Sequence, residues 1–266
     1  MIDRNFFMTI YRQINQHSYE ALLENRLSEL AVFQADAKDE ELHQVLKYHG
    51  FLLLKFSVKV SLDTVRARLT NLLGEPVRDS GVEDSLHTTI ASVNQGRYFS
   101  NSCYTQPLHM DDAHCHQIPR LITLHCVRPA NKGGVSTLLK FADIEEQILP
   151  SYADVFEKLF DKNCLRIRGM KGELNRPLLE HLEEDYLGMA FPAILEGLSA
   201  DARIEQLYRE VYSYIHNPKN QIRFSMKPNE VLIIDNFRTF HGRTSFPASS
   251  SRLLYRTCFP ANTFRK

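Results

Sequence analysis

Hydrophobic positions recur along the chain in two rhythms. Leu62, Val65, Leu69 and Leu72 fall at helical spacing and stop at Gly74 and Pro76, which predicts an amphipathic helix over residues 61–73. Asp143-Ile-Glu-Glu146 has the form of a capping box, an acidic residue accepting backbone N–H groups at a helix start, and predicts a second helix stopped near Pro150. Ile204, Leu207, Val211 and Ile215 predict a third, ended by Asn217-Pro218. Between and after these lie short strand-like runs at 51–56, 121–127, 134–139, 221–226, 231–235 and 253–259. Helices flank these runs instead of alternating with them. The pattern therefore predicts a β-rich α+β core with helices packed outside, not a doubly wound parallel sheet.

Composition narrows the function more than the fold. A chain of 266 residues, 43% hydrophobic and 24% charged, can bury a sizeable core, and no linker or repeat divides it, so one domain over residues 1–266 is expected. Lys+Arg and Asp+Glu are 32 each, so no global field draws the chain to nucleic acid or to an anionic membrane, and neither partner is expected. Five cysteines are scattered without a CxxC pair, which argues against a disulfide framework or a thiolate zinc site and fits a reducing cytoplasm. The start, MIDRNFFMTIYRQ, lacks the apolar run of a leader or membrane span. Only 11 glycines occur, without a GxGxxG or P-loop pattern, which weakens a nucleotide-binding reading.

One stretch concentrates chemistry: PLHMDDAHCH, residues 107–116, holds three histidines and two aspartates. His109-Met110-Asp111 is a His-x-Asp unit, and on an extended strand residues two apart face the same side. Roughly one such unit is expected by chance in a chain with this His and acid content, so in isolation a polar surface turn is the better explanation. Downstream, NEVLIIDNFRTFHGRTSF delivers His241 just past a hydrophobic strand, where a rigid scaffold can position a ligand. Two histidines and one carboxylate on one face of an iron ion leave three of six positions open, which suits non-haem Fe(II) oxygenases. A 2-oxo acid could chelate there, and its distal carboxylate would need a fixed cation. SRLLYRTCF offers Arg252 and Arg256, four apart and on one side of a strand, with guanidinium forks shaped for carboxylates.

The ordered segments YTQPLHMDD, LITLHCVRPANKGGVSTL, VLIIDNFRTFHGRTSF and RLLYRTCF resemble those of the taurine dioxygenase and clavaminate synthase-like family of Fe(II)/2-oxoglutarate-dependent oxygenases. HQVLKYHGFLLLKF, residues 43–56, is similar to the helix and strand that lead into the family's barrel. The resemblance implies a double-stranded β-helix, or jelly roll, with flanking helices, a core over about 43–259 and a helical insertion over about 141–220. It implies His109, Asp111 and His241 as iron ligands. Arg252 would bind the 2-oxoglutarate C5 carboxylate with Ser136, or with Thr137 if the register slips by one, and Arg256 would lie near substrate or the C1 carboxylate. Fe(II), 2-oxoglutarate and dioxygen are the implied cofactor and cosubstrates. Intact Asp111 favours hydroxylation or desaturation over halogenation, since halogenating relatives lack this carboxylate.

The remaining polar residues have structural expectations. His114 and His116 are expected to line the entrance or hydrogen-bond near the ligands, a second metal there being the alternative; His125 is expected to be a satisfied core histidine, and Arg243 to pair with a carboxylate. Asp235 and Asn236 suit a strand-to-loop bend. Segments 80–104 and 165–195 are expected at the mouth, where Tyr98, Phe99, Tyr104 and Arg256 suit a small carboxylate-bearing molecule with an apolar or aromatic part, such as an amino-acid-derived metabolite. NSCYTQPLHMDD and LHCVRPANKGG also resemble the branch that tailors isonitrile compounds made from tyrosine or tryptophan. A non-oxidising metal protein of the cupin type, hydrolase, isomerase or binding module, is the alternative; Arg252 with Gly-Gly-Val-Ser favours 2-oxoglutarate.

Overall fold

The computed structural model describes residues 4–16, 24–56, 60–77, 87–91, 101–169, 172–182, 186–192 and 197–260. In chain order its elements are α1 (Arg4–Gln16), β1 (Val32–Gln34), α2 (Asp39–His49), β2 (Phe51–Lys55), α3 (Leu62–Leu73), β3 (Thr88–Ala91), β4 (Gln106–His109), β5 (Leu121–Arg128), β6 (Ser136–Lys140) and α4 (Phe141–Gln147). There follow β7 (Leu165–Gly169), β8 (Gly172–Arg176), β9 (Leu179–His181), β10 (Leu187–Met189), β11 (Leu198–Ser199), α5 (Ala202–Ile215), β12 (Ile222–Phe224), β13 (Glu230–Asp235), β14 (Thr239–Arg243) and β15 (Leu253–Phe259).

Two sheets face one another. The major sheet runs β1-β2-β13-β5-β15-β3 and the minor sheet β12-β6-β14-β4. Between them lies a core of Phe51, Leu53, Cys126, Leu138, Ile222, Phe224, Leu232, Ile234 and Leu254. The alternate residues of the same major-sheet strands, Leu52, Leu54, Val231 and Ile233, pack outward against Leu42 and Leu46 of α2 and Val65, Leu69 and Leu72 of α3. Strand β13 is covered on both faces, which is why its sequence EVLIID is buried throughout instead of alternating. On the outer face of the minor sheet, Leu139 and Phe240 join Ile204, Leu207, Val211 and Ile215 of α5.

Local chemistry sets the helix ends. Ser61 caps α3 by accepting from Thr64 N at 3.1 Å, and Asp201 caps α5 by accepting from Arg203 N and Ile204 N at 3.1 and 3.0 Å. The capping box expected at Asp143 is not used. Helix α4 starts earlier, at Phe141, and Asp143 pairs with Arg26 at 2.9 Å instead. Segment 141–220 is also not simply helical: besides α4 and α5 it carries a three-stranded sheet, β11-β7-β8, and a two-stranded one, β10-β9. The reason is visible in Leu165-Arg-Ile-Arg, whose apolar residues alternate at the strand period and are buried in turn.

Leu138 is fully buried between the two sheets. Leu138→Ala is expected to lower stability by about 2–5 kcal/mol through lost burial and a residual cavity, read as a lower urea midpoint with an unchanged slope.

Candidate metal centre

Strand β4 is the edge of the minor sheet, and its register against β14 sets His109 opposite His241. Residues directly opposite share a face, and the two ring centroids are 4.5 Å apart. The strands come so close that a Cβ at position 242 would lie 2.6 Å from Gln106 O, so the residue after His241 has to be glycine. His241 thus lies just beyond the end of β13, as its sequence context suggested, and there belongs to a further strand, β14.

Helix α5 holds the free side of the edge strand. Leu108 N donates to His216 Nε2 at 2.9 Å, and His216 Nδ1 donates to Tyr212 O at 2.8 Å, which fixes the neutral tautomer. Burial pushes the His216 pKa down to about 4, with nearby His109 acting in the same direction against the Tyr212 carbonyl.

Asp111 lies just past the end of β4, and a bend after β13 grips its backbone. Asn236 accepts from Asp111 N at 2.8 Å and donates to Asp111 O at 2.9 Å and Pro119 O at 3.0 Å. Its neighbour Asp235 is fully buried and pairs with Arg120 at 2.9 Å and Arg238 at 2.8 Å. These contacts tie the two distant segments singled out by sequence into one construction.

His109, Asp111 and His241 are all buried, and each offers a ligand atom within 4.8 Å of the others. His109 donates Nδ1–H to Pro107 O at 2.9 Å, so its Nε2 lone pair points at Asp111 Oδ1, 3.0 Å away. Two electron-rich atoms this close need a cation or a proton between them. The spacing is also what two neighbouring donors show around an ion about 2.1 Å from each. His241 Nε2 lies 3.6 Å from Asp111 Oδ2, which accepts from Arg256 Nη1 at 2.6 Å. Burial pushes the Asp111 carboxyl up, but Arg256 and the two imidazoles outweigh it and hold the group well below the usual range, ionised and ready to ligate. Burial and the neighbouring His109 hold His241 in its neutral, metal-binding form. The group thus fits a divalent ion with open positions.

Arg252 and Ser136 line one small cavity with Cys126, Gly133 and Gly134. Arg252 is 6% exposed, lies over the Phe246 ring at 5.3 Å, and its Nη1 has no hydrogen-bond partner among the described residues. Burial lowers its pKa to about 10, which leaves it charged at neutral pH. A Cβ on Gly134 would lie 3.3 Å from Arg252 Nε, so glycine there leaves room for the guanidinium. Thr137 points to the opposite face of β6, where it lines a different cavity of about 470 Å³ with Ile10 of α1, Leu108 and His216. That larger cavity is not the one bounded by Arg252.

Arg243 and His125 depart from expectation. Arg243 donates to the backbone carbonyls of Ser102 and Tyr104 and lies over Phe246. His125 is buried with neither ring nitrogen hydrogen-bonded among the described residues, where β13 and β15 flank its strand and spend their backbone groups in the ladders. His114 and His116 are exposed, Tyr104 is exposed, and Tyr98 and Phe99 lie outside the described residues. Sequence reading missed Gln106, whose amide nitrogen is 3.1 Å from His109 Nε2, and His216; each owes its place to a neighbour from another element. No helix among the described residues is long and apolar enough to cross a membrane.

A family model described as "Taurine catabolism dioxygenase TauD, TfdA family" matches residues 18–258. The chain belongs to this family. It is a strand-rich α+β dioxygenase of the Fe(II)/2-oxoglutarate type, with dioxygen as the second cosubstrate. Over 234 residues it is 24% identical to 3-((Z)-2-isocyanoethenyl)-1H-indole synthase of Fischerella ambigua (strain UTEX 1903), spanning 80% of this chain and 81% of that one. Among solved structures, asparagine oxygenase with Fe(II), 2S,3S-3-hydroxyasparagine and succinate superposes with a TM-score of 0.68 at 17% identity, covering 97% of this chain and 92% of that one. The PvcB protein of Pseudomonas aeruginosa gives 0.65 at 15% identity with 89% of each chain covered.

Because the unfolded state protonates His216 near pH 6.5 and the folded state only near 4, stability should fall as pH drops between those values. His216→Gln, which cannot titrate, is expected to flatten that part of the profile in urea unfolding at several pH values.

Proposed function

We propose that His109, Asp111 and His241 hold the Fe(II), that Arg252 and Ser136 anchor the distal carboxylate of 2-oxoglutarate, and that the enzyme oxidises an amino-acid-derived small molecule by hydroxylation or desaturation. The observation that carries the reading is the buried group of two imidazoles and one ionised carboxylate within mutual reach, beside a buried guanidinium that lacks an anionic partner among the described residues. Bound iron with 2-oxoglutarate supplies the oxidising power, with succinate and carbon dioxide as by-products.

The chain's own residues set the geometry. His109 presents Nε2 because Pro107 O takes its other proton, and Asn236 fixes the backbone on which Asp111 stands. Arg256 keeps Asp111 ionised and adds positive charge beside it, where the C1 carboxylate of the cosubstrate would approach. Ser136, on the same face as Arg252, is the hydroxyl partner in this reading, and Thr137 is not. The cupin-type alternative leaves Arg252 buried without purpose, at a cost of several kcal/mol.

The substrate class rests on the relatives. Their names refer to asparagine and to an isocyanoethenyl indole, an aromatic amino-acid-like skeleton, which favours amino-acid-derived substrates over nucleic acids or proteins. The even charge balance agrees. A cytoplasmic location is part of the same proposal.

Purified without oxygen, the protein with Fe(II) and 2-oxoglutarate should show the weak visible metal-to-ligand charge-transfer band of their chelate. His109→Ala and His241→Ala should abolish both the band and succinate formation; an undiminished band in either variant refutes the ligand assignment. Arg252→Leu should raise the 2-oxoglutarate concentration needed for half-saturation by about 10–150-fold, the worth of one charged hydrogen-bonded contact, while Fe(II) binding in its absence stays unchanged. Amino acids and their derivatives that accelerate succinate formation identify the substrate.

A further inference from the structure

A second set of ligating atoms follows directly on the first. Asp112, His114 and Cys115 each offer one ligand atom, and these lie within 4.8 Å of one another. They share a tight turn: Asp112 takes a left-handed backbone with φ of 57°, and Cys115 N donates to Asp112 O at 2.7 Å. The turn is held from beneath. Ala113 is fully buried, and buried Arg176 donates to Ala113 O at 2.9 Å and Cys115 O at 3.2 Å while pairing with Glu180 at 2.7 Å. The backbone carrying the three side chains is therefore anchored to the inserted segment, while His114 is exposed and Asp112 and Cys115 are half-buried, within reach of solvent ions.

The donor set differs in kind from the first. His109, Asp111 and His241 supply nitrogen, nitrogen and oxygen, whereas this group supplies oxygen, nitrogen and sulfur. Hard ions such as magnesium and calcium avoid thiolate, and a borderline-soft tetrahedral ion accepts all three donors and keeps a fourth position for water. Among the other cysteines, Cys126, Cys164 and Cys258 are buried, and burial pushes the Cys126 and Cys164 thiols up to about 11, away from metal-binding thiolate. We propose that Asp112, His114 and Cys115 form a second site, for a divalent cation of the zinc class, independent of the iron reading. On binding, the Cys115 thiol loses its proton to solvent, and the thiolate and the Asp112 carboxylate together balance the two charges of the ion.

Cobalt(II) separates the two sites, because a sulfur ligand gives an intense near-ultraviolet thiolate-to-cobalt charge-transfer band and the first group contains no sulfur. The intact protein should bind two Co(II) per chain, one with that band. His241→Ala, or His109→Ala if the former does not fold, should bind one Co(II) with the band intact, and equimolar Zn(II) should bleach it. Cys115→Ser should lose the band and one equivalent of metal, and His114→Ala should weaken that equivalent at least tenfold. Absence of the band in the intact protein at two equivalents of Co(II), or its survival in Cys115→Ser, overturns the proposal.

Discussion

The site depends on one pairing, that of the edge strand β4 with β14. A single strand-to-strand register brings two imidazoles from distant parts of the chain face to face, and a one-residue slip of β4 would turn His109 away while β6 keeps His241 in place. Edge strands are poorly fixed, so the surroundings contribute. Leu108 is tied to His216 on α5, Met110 N donates to Phe191 O at 3.0 Å, and Asn236 closes on Asp111 from the major-sheet side. Three separate parts of the molecule thus hold Leu108, Met110 and Asp111.

Charge follows the same plan. The barrel interior carries Arg252 and Arg256 with Asp111, and Arg243 is close enough to Arg252 for the two cations to oppose one another; burial and Arg252 lower the Arg243 pKa to about 9. Phe246 lies under both guanidinium groups, at 4.8 and 5.3 Å from its ring centre, and offers the π face as partial compensation. Taking such cations out of water is costly, and an anion entering the barrel relieves that cost. The electrostatics of the described residues thus favour entry of an anion.

Much of this was legible in the sequence, for identifiable reasons. The strands at 51–56, 121–127, 231–235 and 253–259 announced themselves because both their faces are buried or their β-branched content is high. Gly74 and Asn217-Pro218 marked real helix ends. His109 and Asp111 could be singled out because their spacing is local, and His241 because it follows a recognisable strand and bend. The rest depends on contacts between elements. Nothing near His216 in the sequence points to Leu108, and nothing near Arg176 points to the loop at 113–115. Ser136 and Thr137 likewise differ in strand face, which the register of β6 against β14 fixes and the sequence alone does not show.

The Asn236 clamp has a thermodynamic consequence. Its three hydrogen bonds join the loop after β4 to the bend after β13, so the carboxylate takes its place only when both sheets have assembled. An ion seated there recognises the completed barrel and not the open chain. Its binding free energy is then added to the folding free energy by mass action, and the apparent melting temperature of the protein becomes a gauge of free metal concentration.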